Sequence, residues 1–404
     1  MSDESLEFRQ TLQWPEGIDE QRFLDEYWQK KPLLFRQAFP DFETPLPADE
    51  LAGLSLEPDT TGKIITQDSQ GAYHLEYGPF EEDRFTTLTG NQWSLLVTDV
   101  EKHIPELAAF LQPFRFIPDW RIDDLMVSYA PDGASVGAHV DEYDVFLLQA
   151  SGVRTWHIDA RTHVEHTMRQ DGDLKILANF QASDTWDLNP GDMLYLPPNM
   201  AHHGIAKGDE CTTWSIGFRA PRLAELVARM AELISEQMSA QRYSDGQMMR
   251  TLRGEITPES IANFKSAWDQ ATRIDDENFA CLLGRWLTES QTSSAQDNLP
   301  TDQQHPTKER CVNKHPFSRF AWSRIADSDN QATLFVDGNS YPCSIALAVA
   351  LCSAEEGSGL EYAEAGSDEA GEGLECDGFN ESEMALIQTL IDAGSLVLDL
   401  HDDD

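Results

Sequence analysis

Between residues 124 and 219 the chain breaks into short apolar or alternating runs: DLMVSYA, VFLLQ, VRTWHI, TWDL, DMLYLPP, HHGIAKG and TTWSIGF. Runs this brief do not make a helix with a buried face, and a two-residue period is that of a strand. Many short strands at such spacing close into a barrel or stack as a sandwich. Asn189-Pro190-Gly191-Asp192 lies among them, with Pro and Gly in the central places of a type II turn. This stretch confines the middle of the chain to an all-β core, and its flanks make the whole chain α+β.

Residues 1–120 mix helices and strands. Asp19 to Lys31 reads as an amphipathic helix with Phe23, Leu24 and Trp28 on one face, stopped by Pro32. After Pro221 the period becomes helical: Leu223, Leu226, Val227, Met230, Leu233, Ile234 and Met238 recur at steps of three and four. Such a stripe packs on the barrel or on a second subunit, and its place between two domains favours a homodimer. Thr257-Pro258 reads as an N-cap and N1 pair opening another helix. The polar, Pro-containing stretch 288–309 reads as a linker. Beyond it the spacing predicts a hairpin around Asp337-Gly338, a buried helix in SIALAVALC, and helix, glycine stop and strand in MALIQTLIDAGSLVLDL. The acidic, glycine-rich insertion 354–380 between those helices reads as disordered. The boundaries are therefore 1–219 with a barrel from about 120, a helical segment 220–287, the linker, and a module 310–404.

Charge narrows the partners. Lys and Arg number 29 against 71 Asp and Glu, a net charge of −42, and no cation follows Arg324. Nucleic-acid binding relies on Lys and Arg displacing counterions, so no nucleic-acid partner is expected, nor an anionic membrane. A basic protein or a salty cytosol suits such a surface. MSDESLEFRQ lacks the basic and apolar regions of a secretory signal, and no apolar run is long enough to span a bilayer. The six cysteines form no C-x-x-C pair, as expected of reduced thiols in a cytoplasmic protein.

Three H-x-D pairs occur: His139/Asp141, His157/Asp159 and His401/Asp403. On a strand, residues two apart share a face, so His139 and Asp141 would point the same way. With a third ligand, His202 or His203 in PPNMAHHG, they could form the 2-His-1-carboxylate set that holds ferrous iron with positions open for co-substrate and dioxygen. Neighbours on a strand face opposite sides, so only one of those two histidines can join. The competing group His157, Asp159, His163, Glu165 and His166 spans a strand end and a polar loop, and reads as a solvated connection. Iron of this kind commonly uses 2-oxoglutarate, whose far carboxylate wants a cation; Arg154 and Arg219 are the candidates.

The ordered motifs DWRIDDLMVSYAPDGASVGAHVDEYDVFLLQASGVRTWHI, LNPGDMLYLPPNMAHHG and WSIGFRAP, with the earlier YWQKKPLLFRQAF, resemble the bacterial JmjC-type ribosomal oxygenases of the cupin superfamily. The match runs from about residue 8 to 220 and more loosely beyond. The resemblance implies a double-stranded β-helix holding Fe(II) through His139, Asp141 and His202, the histidine two residues before Gly204. It implies 2-oxoglutarate anchored by Arg154, with Arg219 second. A helical dimerisation segment and a winged-helix-like C-terminal domain follow in that family, although the missing cations speak against DNA. The family's protein-arginine hydroxylases act on large-subunit ribosomal protein L-sixteen, and Asp124, Met126 and Tyr143 would line the arginine pocket. Asp141 itself speaks for hydroxylation, because halogenating relatives lack that carboxylate. Two other readings use the same barrel: a non-catalytic cupin-like regulator, and a demethylase of methylated lysine, which would want an aromatic cage where Asp124 stands.

Overall fold

The protein is described from a computed structural model covering residues 11–161, 165–236, 238, 242–244, 253–289, 310–326, 328–354, 360–364, 374–375 and 379–400. Two compact units divide it, Met1–Ala220 and Pro221–Asp404.

The first unit opens with α1 (Glu20–Glu26), β1 (Leu33–Phe35), α2 (Ala48–Leu54), β2 (Gly62–Gln67), β3 (Tyr73–Tyr77), α3 (Glu82–Thr87), β4 (Trp93–Val97) and α4 (Val100–His103). Asp19 caps α1 by accepting the Arg22 N–H at 2.7 Å. Phe23 is buried among Trp14, Phe35, Phe146 and Tyr195. The helix stops at Glu26, short of the Lys31 that the sequence suggests. Gln29 takes a positive φ of 59°, and its N–H donates to the Tyr195 hydroxyl at 2.7 Å, so a tertiary bond ends the helix early.

Then come β5 (Ile122–Ala130), β6 (Asp144–Asp159), β7 (Asp184–Leu188), β8 (Met193–Leu196) and β9 (Ala201–Phe218). They join one antiparallel sheet in the order β1-β8-β6-β9-β5-β4-β2-β3, with β7 on β6. The seven apolar runs of the sequence make five strands. VFLLQ and VRTWHI are one strand, β6; HHGIAKG and TTWSIGF are one strand, β9. Both long strands bend where their mutual register shifts, between Gln149 and Val153, at Gly152 with φ 63° and beside Glu210 with φ 59°. The bend carries the sheet over its own apolar face. Before the bend β6 pairs with β8, and after it with β7, while β9 accompanies it throughout. Phe146, Leu148, Trp214, Ile216 and Phe218 lie in the larger core of this unit, and Val145, Leu147, Trp156, Ile158 and Leu194 in a second one. In the second core the β6 positions are odd before the bend (Val145, Leu147) and even after it (Trp156, Ile158), a change of parity that the register shifts at the bend allow.

The second unit holds α5 (Leu223–Glu236), α6 (Pro258–Ala271), α7 (Asp276–Thr288), β10 (Arg310–Lys314), β11 (Phe320–Arg324), β12 (Gln331–Val336), β13 (Asn339–Ser344), α8 (Ile345–Ser353), β14 (Leu360–Glu364), β15 (Leu374–Glu375), α9 (Glu381–Asp392) and β16 (Leu396–Leu400). Met230 and Leu233 of α5 are buried with Leu282 of α7, so part of its stripe is covered within the chain. Asp337 (φ 46°) and Gly338 (φ 81°) turn the β12–β13 hairpin with two left-handed residues, the I′ geometry that matches strand twist. The insertion 354–380 is not featureless: β14 pairs with β10, and β15 with β14. The alternation Leu360-Glu-Tyr362-Ala-Glu364 fits a strand, and the free edge of β10 takes it. Of the linker expected at 288–309, Thr288 still belongs to α7 and residues 290–309 fall outside the described residues, as do His163 and the His401/Asp403 pair. Among those described, no helix is long and apolar enough to cross a membrane.

Gly152 is where the bend is built. A Cβ there would lie 2.8 Å from the Cys211 Cα, on a backbone already at positive φ. Gly152→Ala is expected to lower stability by about 2–4 kcal/mol. Gly90→Ala, at φ 69° with open space around it, should cost only about 1 kcal/mol. Denaturant unfolding of both variants checks the difference.

Candidate metal centre

His139 and Asp141 do not lie on a strand. They occupy the segment before β6, and only His139 is bridged, to His202 at the start of β9. The bridge is reciprocal: His139 N–H donates to the His202 carbonyl at 3.0 Å, and His202 N–H returns the bond at 2.9 Å. A second tether runs from the Asn199 N–H to the Asp141 carbonyl, 2.6 Å. Asn199 reaches it from a left-handed φ of 61°, tolerable for asparagine after the Pro197-Pro198 pair. These tethers do what strand parity was expected to do. One ligand atom from each of His139, Asp141 and His202 lies within 4.8 Å of the others, the single such gathering among the described residues.

The protonation pattern follows from the neighbours. His139 Nδ1 lies 2.9 Å from the Gly137 carbonyl, and His202 Nδ1 2.9 Å from the Met200 carbonyl. A carbonyl only accepts, so each Nδ1 carries its proton and each Nε2 keeps a lone pair. Those Nε2 atoms stand 3.8 Å and 3.4 Å from the Asp141 carboxylate oxygens. Metal–ligand bonds of about 2.0–2.2 Å put adjacent ligands about 3 Å apart, so a small contraction would suit an ion. Burial, reinforced by His139, pushes the His202 imidazole down to about 4, so it is neutral and ready to coordinate near pH 7.

His203 faces away. Its ring lies 6.1 Å from those of His157 and Phe180, outside the cage. The rival histidine–acid group does not assemble among its described members: His157 Nδ1 meets the Thr185 hydroxyl, while buried Asp159 is held by Arg161.

Arg154 is 4% exposed on β6 beyond the bend, and its Nε and Nη2 have no hydrogen-bond partner among the described residues. A buried guanidinium with idle donors costs free energy unless an anion meets it. This is the fit expected of a carboxylate-bearing co-substrate. Arg219 is engaged elsewhere, its Nε on Asp123 at 2.9 Å.

On β5, Asp124 and Met126 are half-buried and alternate with fully buried Leu125 and Val127, so they share one face. Gly217 makes room for Asp124, since a Cβ there would come 3.0 Å from Asp124 Oδ1. Burial, with Asp123 and Asp99 nearby, raises the Asp124 carboxyl to about 7. Tyr143 is 40% exposed, and burial together with the Asp141 and Asp124 carboxylates raises its phenol. Sequence reasoning missed Glu101, which is buried and accepts the Leu125 N–H at 2.9 Å where β5 slips against β9. Nothing in its local pattern marks it. It also missed Trp156, although a residue two beyond Arg154 on a strand shares its face.

Residues 109–226 match the family model described as JmjC domain. The Escherichia coli protein named ribosomal protein uL16 3-hydroxylase is 33% identical over 287 residues, 70% of this chain and 74% of that relative. A Haemophilus influenzae protein named "Probable ribosomal oxygenase" is 38% identical over 53% of this chain and 52% of its own length. Among solved structures, YcfD, a ribosomal oxygenase from Escherichia coli in complex with cobalt and 2-oxoglutarate, superimposes with a TM-score of 0.75 at 26% identity, covering 96% of this chain and 99% of that one. The bent antiparallel sheet is thus the JmjC, cupin-type barrel.

His202→Ala is expected to lower affinity for a divalent transition metal by more than about a hundredfold, whereas His203→Ala keeps it. Cobalt absorption titrations of the two variants measure the contrast, and the reverse order would overturn the choice of histidine.

Proposed function

This chain belongs to the bacterial JmjC-type ribosomal oxygenases, and from that membership we infer that it hydroxylates an arginine side chain of large-subunit ribosomal protein uL16 with Fe(II) and 2-oxoglutarate. The observation that carries the reading is the cage of two Nε2 lone pairs and one carboxylate standing in the same barrel as a buried guanidinium with two idle donor nitrogens. His139, Asp141 and His202 would hold the metal, and Arg154 the far carboxylate of 2-oxoglutarate. When bound, iron and co-substrate would supply reductive cleavage of dioxygen coupled to oxidative decarboxylation of 2-oxoglutarate: one oxygen atom enters the substrate C–H bond, and the other enters succinate as carbon dioxide leaves.

The chain's own groups do the positioning. Asp124 offers a carboxylate to the substrate guanidinium, Tyr143 a ring face to its plane, and Met126 an apolar wall to its methylenes. The acidic composition suits a basic ribosomal protein, and such a substrate implies action in the cytoplasm. The module after residue 310 is read as winged-helix-like but, lacking cations beyond Arg324, not as a nucleic-acid binder. The chain is read as a homodimer, because α5 and α6 expose Leu223, Val227, Ile261, Phe264 and Trp268, the last at 61%.

Incubation with Fe(II), 2-oxoglutarate, air and uL16 peptides should add one oxygen atom to an arginine, read by mass spectrometry; absence of 2-oxoglutarate turnover with every such peptide would sink the reading. Asp124 must be ionised to pair with the guanidinium. With its carboxyl near 7, KM for the peptide should fall as pH rises from 6 to 8. Asp124→Asn should flatten that dependence and raise KM by about tenfold or more. Phe264→Glu combined with Trp268→Glu should halve the mass measured by light scattering.

A further inference from the structure

Trp156 carries the inference. It sits on β6 two residues beyond Arg154, is 5% exposed, and its indole Nε1 is a buried donor with no hydrogen-bond partner among the described residues. Its place is tightly set. In the β6–β9 ladder it stands opposite Gly204, where any Cβ would come within 2.7–3.0 Å of the benzo edge of the indole. Glycine at 204 therefore lets the ring lie against β9, and the N–H edge is the one turned away from it. On one side the Arg154 guanidinium carbon lies 5.8 Å from the indole ring; on another the His202 ring centroid is 5.6 Å away.

The indole thus neighbours both the residue expected to anchor an anion and a residue of the metal cage. Three buried N–H-bearing nitrogens here lack an acceptor: Arg154 Nε, Arg154 Nη2 and Trp156 Nε1. Buried donors without acceptors are uncommon, because each forgoes its hydration for nothing. Arg154 alone would explain an anion site, but it would leave the indole N–H idle. An unlike pair of side chains orphaned together on one strand face points to one multidentate acceptor.

We infer that Trp156 is a second anchoring residue for the dicarboxylate co-substrate, its indole N–H donating to the anion that the Arg154 guanidinium pairs with. The inference rests on the proposed 2-oxoglutarate dependence and adds a residue that neither the H-x-D pair nor the arginine identifies. The indole face also walls the space between guanidinium and cage, where the methylenes of a five-carbon diacid could lie. A 2-oxo acid without the far carboxylate would leave the indole N–H without its acceptor.

The test uses the full chain labelled with 15N-tryptophan and loaded with diamagnetic Zn(II). The Trp156 indole resonance is assigned as the one missing in Trp156→Phe. It should move downfield on adding 2-oxoglutarate, stay in place with pyruvate, and stay in place with zinc alone. By calorimetry, Trp156→Phe should bind 2-oxoglutarate about tenfold more weakly, the scale of one hydrogen bond to a charged group. Its zinc affinity should match wild type and reports whether the variant folds; its melting temperature should fall by a few degrees because the smaller ring leaves a cavity against Gly204. If it does not fold, Trp156→Tyr supplies the assignment, and the resonance shift in the wild-type chain decides. Wild-type binding of 2-oxoglutarate with an unmoved resonance would overturn the inference and leave the proposed function standing. Failure of the wild-type zinc-loaded protein to bind 2-oxoglutarate at all would overturn both.

Discussion

The register of β6 against β9 is the constraint on which the site depends. Ile158 pairs with His202, His157 with His203, and Trp156 with Gly204. Successive side chains on a strand alternate between faces, so a slip of one residue would turn His202 outward and bring His203 in. The same slip would remove the glycine from beneath Trp156 and drive its ring into a Cβ. The large indole and the missing side chain opposite it thus act as a lock on the register, and the register chooses the histidine. The bend at Gly152 then decides which half of each strand faces the cage.

Electrostatics completes the arrangement without any exposed ion pair of consequence. Both cage imidazoles are oriented by backbone carbonyls, which fix the tautomer as well as the ring angle. Arg154 is buried with donors to spare, a costly state that an anion would relieve. Asp124 is held near neutrality by burial and by neighbouring acids, so a cation arriving beside it would favour the ionised form. The site is short of one anion and, at Asp124, of one cation. Those are the charges of the proposed co-substrate and substrate.

Much of this was legible from residue order. The short runs between 124 and 219 announced strands, the hairpin at Asp337-Gly338 lay where the turn residues said, and His139, Asp141 and His202 do come together. Other features were not legible because they depend on distant partners. No local pattern says that VFLLQ continues into VRTWHI, since a bend at a glycine and a break at a glycine read alike. The stop of α1 at Glu26 comes from Tyr195, more than 160 residues away in sequence. Strand parity gave the right neighbours at His139 and Asp141 for a reason that does not hold there. A bridge to His202 and the Asn199 tether take its place.

By itself, the sequence determined the class of fold, the family and the types of chemical group available, because periodicity, turn residues and ordered motifs are properties of nearby residues. Tertiary structure alone decided which nitrogen of each histidine is free, that Arg154 keeps two buried donor nitrogens idle while Arg219 pairs with Asp123, and that Trp156 has an idle N–H. Each of those depends on what the folded chain withholds from a polar atom. That becomes defined only when segments far apart in sequence exclude water together. For His139 and Asp141, the residue types were set in the chain, and their joint direction was set by His202 and Asn199.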